Sequence, residues 1–254
     1  MNTQLTNVLK EIDKLKLKLQ VLRPLNIEAL TKIKAAIEME YTYESNRIEG
    51  NTLTLQETAL VVGEGVTIGG KSMKEHLEAI NHAQAVEFIK DIAKADIKIN
   101  EHTIKEIHAI ILHGINKEQA GKYRDVPVMI VGSQHIPPQP YLIAPQMEQF
   151  IFEYQTMEAN NEHPVLIAAF LHDELVKIHP FIDGNGRTSR LLMNLYLLSN
   201  GYAITTLKGD NDAKQAYYKT LEQSHVDSNR EPFYLFVANA VKNSLENYLK
   251  IVEG

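Results

Sequence analysis

The chain has 254 residues, of which 44% are hydrophobic and 23% are charged, and its net charge is −6. This acidic balance gives no overall attraction for nucleic acid or for an acidic membrane surface, so we expect neither as a partner. The chain has no cysteine, which excludes disulfides, cysteine-ligated zinc and thiol catalysis. No apolar run approaches the ~18 residues of a membrane span, and the N-terminus lacks a signal-peptide core, so we expect a cytoplasmic protein.

Helical periodicity dominates the sequence and predicts an all-α fold. The first helix is predicted over residues 4–22, where apolar residues recur at steps of three and four, and Pro24 ends it. If its apolar face packs outward, a homodimer is expected. The apolar residues are Leu5, Leu9, Ile12, Leu15, Leu19 and Leu22. Further helices are predicted over 27–48, 72–95, 101–115, 145–159, 164–178, 186–200, 211–224 and 231–250.

One stretch, YRDVPVMIVGSQHIPPQP, breaks the helical pattern. A turn-like Gly-Ser-Gln follows its β-branched residues, and Pro137-Pro138 then excludes a helix. The pattern predicts a short β-hairpin on the helical body, with an irregular loop as the alternative. A lone hairpin is marginally stable, so we expect it to lean on the helices as a mobile flap. The β-branched residues are Val126, Val128, Ile130 and Val131.

The sequence HPFIDGNGRTSR, residues 179–190, lies between two apolar predicted helices. The stretch from Asp183 to Gly186 can present free backbone N–H groups at the start of the second helix, where the helix dipole also attracts anions. Arg187 and Arg190 are three residues apart and lie on one helical face. Their planar guanidinium groups fit phosphate oxygens. The pattern therefore indicates a phosphate-binding site.

Two more residues of this stretch suit phosphoryl chemistry. Asp183 is a hard oxygen ligand beside the anion site, an arrangement typical of magnesium shared with phosphates. His179 lies at the mouth of the site and can accept a proton from an attacking hydroxyl. Taken singly, the histidine could be structural, the aspartate an N-cap and the glycines a tight turn. Their joint occurrence between two apolar helices is far more specific.

The same stretch fills every fixed position of the signature His-x-Phe-x-(Asp/Glu)-Gly-Asn-Gly-Arg-x-x-Arg, and the chain resembles the Fic-domain family over about residues 40–245. The resemblance implies a helical bundle with a β-hairpin flap over the active site. It also implies transfer of AMP from ATP to a Ser, Thr or Tyr hydroxyl of a target protein, or of the chain itself, with release of pyrophosphate. His179 would be the base, Phe181 a core anchor and Asp183 the magnesium ligand. The nucleotide would be bound by Gly184, Asn185, Gly186, Arg187, Thr188 and Arg190.

A second motif lies upstream, in YESNRIEGNTLT. Ser45 and Glu49 would share a helix face, and Gly50 could end that helix. A solvated glutamate is the ordinary interpretation. In this chain the motif resembles the (Ser/Thr)-x-x-x-Glu-(Gly/Asn) inhibitory motif of Fic proteins, which implies that Glu49 pairs with Arg190 at the γ-phosphate position. The resemblance divides the chain into an N-terminal inhibitory segment, 1–60, and a Fic catalytic domain, 61–254.

The resemblance extends to the nucleotide-binding surface. The flap, residues 124–138, would hold a target segment as an added strand, and His135 near its end would contact the nucleotide. Tyr217 and Tyr218 resemble the adenine and ribose contacts of the family. His225 stands where close relatives tend to have asparagine, a departure that bears on the preference for ATP.

Two other functions stay open from the sequence. The main activity could be removal of AMP from a modified protein, or the chain could be a non-catalytic module that binds nucleotide and regulates a partner. The complete set of His179, Asp183, Arg187 and Arg190 argues against the module, because degenerate relatives usually lose the base or the metal ligand.

Overall fold

The computed structural model describes residues 3–21, 27–95 and 97–253. Within these residues the chain forms ten α-helices, one short 3₁₀ turn at Pro140–Leu142 and no β-strand, which confirms the all-α class. The helices are α1 Thr3–Val21, α2 Ile27–Ile48, α3 Leu55–Glu64, α4 Met73–Lys94, α5 Glu101–Ile111, α6 Ile143–Ala159, α7 Pro164–Ile178, α8 Asn185–Ser199, α9 Asn211–His225 and α10 Glu231–Glu253.

Capping side chains fix where several helices begin. At the start of α4, the Ser72 hydroxyl accepts a hydrogen bond from the Glu75 N–H while the Glu75 side chain accepts one from the Ser72 N–H. Thr54 and Glu57 form the same capping box at the start of α3, a helix that the periodicity did not predict. A helix of 10 residues carries a weak periodic signal, but its Thr-x-x-Glu sequence is a local start signal.

The centre of the molecule is the pair α7 and α8, which pack against each other. α7 also contacts α6 and α10, and α8 also contacts α4 and α5. Because α7 is covered on most sides, its sequence is apolar nearly all round rather than along one stripe. The loop that joins α7 to α8 therefore starts and ends in rigid, buried structure.

α1 lies along α10, and its apolar face is buried in the core of the chain through Leu5, Leu9, Ile12 and Leu19. The condition for the expected homodimer, an outward apolar face, is therefore not met by these residues. Leu22 and Pro24, which the sequence places at the end of this helix, lie outside the described residues. The domain division at residue 60 stays a prediction. None of the described helices combines the length and the apolar character needed to cross a membrane.

The expected β-hairpin at residues 124–138 is not formed, and the segment is irregular. A turn is present at its tip, where the Ser133 N–H donates to the Ile130 carbonyl oxygen at 3.2 Å. The two arms form no ladder because the Arg124 guanidinium takes one carbonyl oxygen from each arm, that of Val126 at 3.0 Å and that of Pro138 at 2.6 Å. Three prolines, at 127, 137 and 138, also remove backbone donors that a ladder needs.

Candidate active site

The loop between α7 and α8 is shaped by its own residues. His179 ends α7 in the left-handed region, with φ 50°, and Gly184 precedes α8 with φ 77°. The Asn185 side chain accepts from the Phe181 N–H at 2.9 Å and donates to the Phe181 carbonyl oxygen at 2.8 Å. Phe181 is fully buried. The Asn185 amide is thus committed to the loop, while the first N–H groups of α8 have no partner within the helix.

His179 presents one ring nitrogen to an open cavity. Its Nδ1 lies 3.2 Å from the Val176 carbonyl oxygen and donates to it, which leaves Nε2 as an acceptor. Burial lowers the pKa of His179 to about 4; the Val176 hydrogen bond opposes this shift and the charge of Arg124 adds to it. The ring is therefore neutral at physiological pH.

Asp183 is held in its ionised form at the start of α8. Burial opposes ionisation, but the charge of Arg187 and a 2.6 Å hydrogen bond from the Gly184 N–H hold the pKa of Asp183 below its usual value. Its carboxylate is 46% exposed, and Lys74 Nζ lies 3.7 Å from Oδ2. The site thus offers one accessible carboxylate beside free backbone N–H groups.

Arg187 is buried, and the phosphate contact that the resemblance implies for it stays a prediction. Its side chain is 2% exposed, with Nη2 3.3 Å from Asp183 Oδ1 and Nη1 3.1 Å from Glu78 Oε1 on α4. Glu78 is in turn bound by the Asn51 amide at 3.0 Å. In this arrangement Arg187 orients Asp183, and α4 supplies the countercharge.

Arg190 joins the loop to the upstream motif. Its Nη2 lies 2.7 Å from Glu49 Oε1 and 2.9 Å from the Ser45 carbonyl oxygen, and its Nε donates to the Ser45 hydroxyl at 3.0 Å. Burial opposes both charges, yet the pKa of Glu49 is lowered by Arg190 and that of Arg190 is raised by Glu49. A Cβ atom on Gly186 would lie 2.4 Å from Glu49 Oε1, so only glycine admits the carboxylate here.

The cavity measures about 650 Å³ and lies between this loop, α9 and the flap tip, which we define as residues 130–134. A space of this size suits a nucleotide-sized ligand. Tyr218 lines it and is 46% exposed, whereas Tyr217 also reaches its wall but is buried, with its hydroxyl 3.4 Å from Arg190 Nη1. The other polar residues that line the cavity include Glu49, His179, Lys214, Glu222 and His225.

Three of the predicted nucleotide contacts line the cavity, Gly186, Tyr217 and Tyr218, and six do not: Gly184, Asn185, Arg187, Thr188, Arg190 and His135. The His135 ring is directed at α7, with Nε2 2.8 Å from the Lys177 carbonyl oxygen, and is not among the cavity-lining residues. Thr188 is fully buried behind the loop. His225 does line the cavity, and its Nε2 lies 2.9 Å from the buried carboxylate of Asp173. The nucleotide contacts of these residues stay predictions.

Sequence reasoning missed two residues that support the loop from outside it. His108 on α5 stacks on Phe181 with ring centroids 3.6 Å apart, and its Nε2 donates to the Asp183 carbonyl oxygen at 3.0 Å. Arg124 donates from Nε to the His179 carbonyl oxygen at 2.8 Å. The only signal for His108 is a histidine on the apolar face of α5, and no local pattern marks Arg124.

Comparison with known proteins gives consistent results. Residues 98–197 match the family model described as Fic/DOC family. The chain is 35% identical over 221 residues to the protein adenylyltransferase Fic of Drosophila grimshawi, which covers 87% of this chain and 45% of that protein. It thus spans less than half the length of this curated relative.

Two solved structures share the fold over almost the whole chain. A Fic domain containing signaling protein from Bacteroides thetaiotaomicron has a TM-score of 0.88 and 29% identity, and covers 96% of this chain and 97% of that one. A fragment of Fic-1 from C. elegans has a TM-score of 0.87 and 27% identity, and covers 98% of this chain and 73% of that one.

Proposed function

We propose that the chain is a member of the Fic/DOC family, whose model matches residues 98–197, and that it transfers AMP from ATP to a hydroxyl side chain of a target protein. The observation that carries the proposal is the Glu49 carboxylate, which lies against Arg190 and Gly186 in the cavity that contains His179. A carboxylate bound by an arginine beside a helix N-terminus occupies a site suited to an anion. Relatives are named protein adenylyltransferase, which supports the inference that this anion is a phosphate group of ATP.

His179 supplies the base in this proposal. The target hydroxyl oxygen bonds to the α-phosphorus, the bond from that phosphorus to the bridging oxygen breaks, and pyrophosphate leaves. Nε2 of the neutral His179 ring takes the hydroxyl proton, because Nδ1–H is already given to Val176. A base with a pKa of about 4 is weak, and negative charge bound beside it raises that pKa.

The residues present fit magnesium bound together with the phosphates of ATP. Within the described residues, no group of three acidic or histidine side chains could enclose a metal. Magnesium needs no such cage, since it commonly takes one or two carboxylates and completes its shell with phosphate oxygens and water. Asp183 would hold it, and the metal would neutralise phosphate charge during transfer.

Glu49 is the proposed inhibitor of the same reaction. Its carboxylate occupies Arg190 Nη2, so an ATP γ-phosphate that needs this guanidinium must first displace it. The Ser45 hydroxyl and carbonyl oxygen hold two further Arg190 donors in place. Replacing Glu49 removes the competing anion and leaves the arginine oriented, which should raise the rate of transfer.

The test uses ATP labelled at the α-phosphate, with magnesium, on wild type, Glu49→Gly and Glu49→Gly/His179→Ala. We expect label on protein, either the chain itself or a protein in a lysate, only with Glu49→Gly. The matched control is Glu49→Gly/His102→Ala, since His102 is 80% exposed and far from the loop in sequence; it should label like Glu49→Gly. A parallel sample with γ-labelled ATP should give no label.

Three results would contradict the proposal. Label from γ-labelled ATP would indicate phosphorylation, and α-label that persists without His179 would exclude this residue as the base. If no variant takes label, a pre-modified protein should be offered next, because release of AMP from it would make removal the main activity.

The flap is the proposed contact for the target. Three of its apolar side chains are largely exposed, Met129 at 90%, Val131 at 101% and Ile136 at 78%. Between Pro127 and Gly132 the flap has no proline and forms no ladder, so an extended target segment can pair along that stretch. Recognition through the main chain would accept varied targets, including a segment of the chain itself.

A further inference from the structure

Two contacts attach the flap to the helical body, one at its base and one at its tip, and they differ in kind. At its base, Arg124 is 2% exposed and binds the carbonyl oxygens of Val126 and Pro138 on the flap and of His179 on the loop. The Arg124 N–H also donates to the Pro180 carbonyl oxygen at 2.9 Å. Arg124 therefore fixes this end of the flap to the loop that carries His179, the proposed proton acceptor.

The flap tip is attached by one side chain of α9. Glu222 accepts hydrogen bonds on both carboxylate oxygens, from the Ser133 hydroxyl and from the Gln134 N–H, the latter at 2.6 Å. The Ser133 hydroxyl oxygen in turn accepts from the His135 N–H at 3.0 Å. Gly132, with φ 83°, allows the turn that directs these donors toward α9.

The two attachments differ in how easily water can replace them. The contacts of Arg124 are buried, and breaking them would leave a guanidinium without partners inside the protein. The bond from the Gln134 N–H to Glu222 is exposed, so water competes for both groups. Local opening should therefore begin at the tip while the base stays closed.

We propose that Glu222 is a positioning residue that latches the flap tip over the nucleotide cavity. The tip forms one wall of that cavity, and α9 forms the facing wall with Tyr218, Glu222 and His225. A closed latch should slow the exit of a bound nucleotide and hold the flap edge in one place for a target segment. The effect on nucleotide and target rests on the proposed function; the latch itself does not.

The latch is tested without any ligand by amide hydrogen exchange. Glu222→Ala should speed exchange at the Gln134 and His135 amides by about tenfold, since it removes hydrogen bonds to a charged acceptor. Glu222→Gln, which keeps one acceptor oxygen, should fall between wild type and Glu222→Ala. The matched control is Gln215→Ala, an exposed polar residue on the same helix, which should exchange like wild type. Unchanged exchange in Glu222→Ala would overturn the latch.

A double-variant cycle separates the latch from a general loosening of α9. Ser133→Ala should also speed exchange at Gln134, and it should add little once Glu222 is alanine, because the two side chains bind each other. The melting temperature should stay the same in all three variants. Additive effects, or a fall in melting temperature that matches the faster exchange, would show that Glu222 stabilises the fold rather than the flap.

The consequence for the nucleotide is measured as release of a non-hydrolysable ATP analogue from Glu49→Gly with magnesium. Adding Glu222→Ala should raise its dissociation rate constant about tenfold, in step with the exchange rate. If exchange rises and release does not, the tip is latched but does not gate the cavity, and the gating half of the proposal fails. If the Glu49→Gly protein does not bind the analogue, the proposed function fails while the exchange result still decides the latch.

Discussion

The loop between α7 and α8 and the flap face the same cavity, yet they are held in opposite ways. The loop takes its shape from its own residues, through the Asn185 amide on the Phe181 backbone and the positive φ of Gly184. The flap takes its shape from side chains at its base and on α9, Arg124 and Glu222. A motif whose geometry is set by local bonds can be interpreted from sequence, whereas the flap also depends on Glu222, 88 residues beyond Gln134, which no local pattern indicates.

The largest effect is expected where the loop leaves room for an anion. Gly186→Ala, made in the Glu49→Gly background, should lower AMP transfer at least about 100-fold, the usual cost of disturbing one anion-stabilising group. The added methyl group would lie 3.1 Å from Arg190 Nη1, in the place that the Glu49 carboxylate now fills. Rates of α-label transfer at saturating ATP and at low ATP would measure the loss.

The loss should come from the site and not from the fold. Gly186 lies inside α8 and does not have a positive φ, so alanine fits its backbone. Gly63→Ala is the matched control, because this helical glycine in α3 has open space around it and alanine favours a helix. Both variants should melt near the temperature of their parent. A Gly186→Ala protein that transfers AMP at the parent rate would show that no phosphate group binds beside Gly186.

The next effect concerns the residue that connects the two regions. Arg124→Ala should lower the free energy of unfolding by about 3 kcal/mol, because hydrogen bonds from a charged donor to three carbonyl oxygens are lost. Urea unfolding with a full transition would measure it. Loop and flap should then move independently, so amide exchange should rise in the flap, near Val128, more than in α8.

Arg124→Lys separates charge from geometry in the same position. A lysine keeps the positive charge but has no planar fork to reach the His179, Val126 and Pro138 carbonyl oxygens together. We expect it to restore less than half of the lost stability. Full restoration would mean that the charge near the loop matters and the bridge between loop and flap does not.

The same contrast explains what the sequence could and could not predict. Nine helices were placed from their apolar periodicity, whereas α3 escaped because its signal is a capping box and not a long period. The β-branched run at residues 126–131 predicted a hairpin, but prolines and the Arg124 guanidinium remove the ladder. Arg187 forms an ion pair with Glu78 of α4, more than a hundred residues away in sequence, and no spacing in the sequence indicates that partner.

His135 shows the same limit inside the site. The resemblance implies a nucleotide contact for His135, and in this structure its ring donates to the Lys177 carbonyl oxygen of α7. The partner lies 42 residues further along the chain, and no spacing in the sequence indicates it. Tertiary packing thus decides which of the predicted residues face the cavity.

The smallest effect should appear at His108, which packs on the loop residue Phe181, as a dependence of the free energy of unfolding on pH. Burial lowers the pKa of His108 from its ordinary 6.5 to about 4, although its bond to Asp183 opposes the shift. Between these values the unfolded chain binds the proton and the folded chain does not, so stability is present above pH 6.5 and falls as the pH drops toward 4. From pH 7 to pH 5.5, His108 alone should cost about 1 kcal/mol.

His108→Gln isolates that contribution from the other histidines. Glutamine has no group that titrates in this range but keeps an N–H that can reach the Asp183 carbonyl oxygen, and it loses the acceptor that His108 Nδ1 offers to the Gly121 N–H at 3.0 Å. The variant should be less stable at pH 7, and its free energy of unfolding should fall less steeply between pH 7 and pH 5.5 than that of wild type. Urea unfolding at the two pH values gives both slopes. Equal slopes would mean that His108 titrates alike in the folded and unfolded chains, so its neutral form would not be what supports the loop.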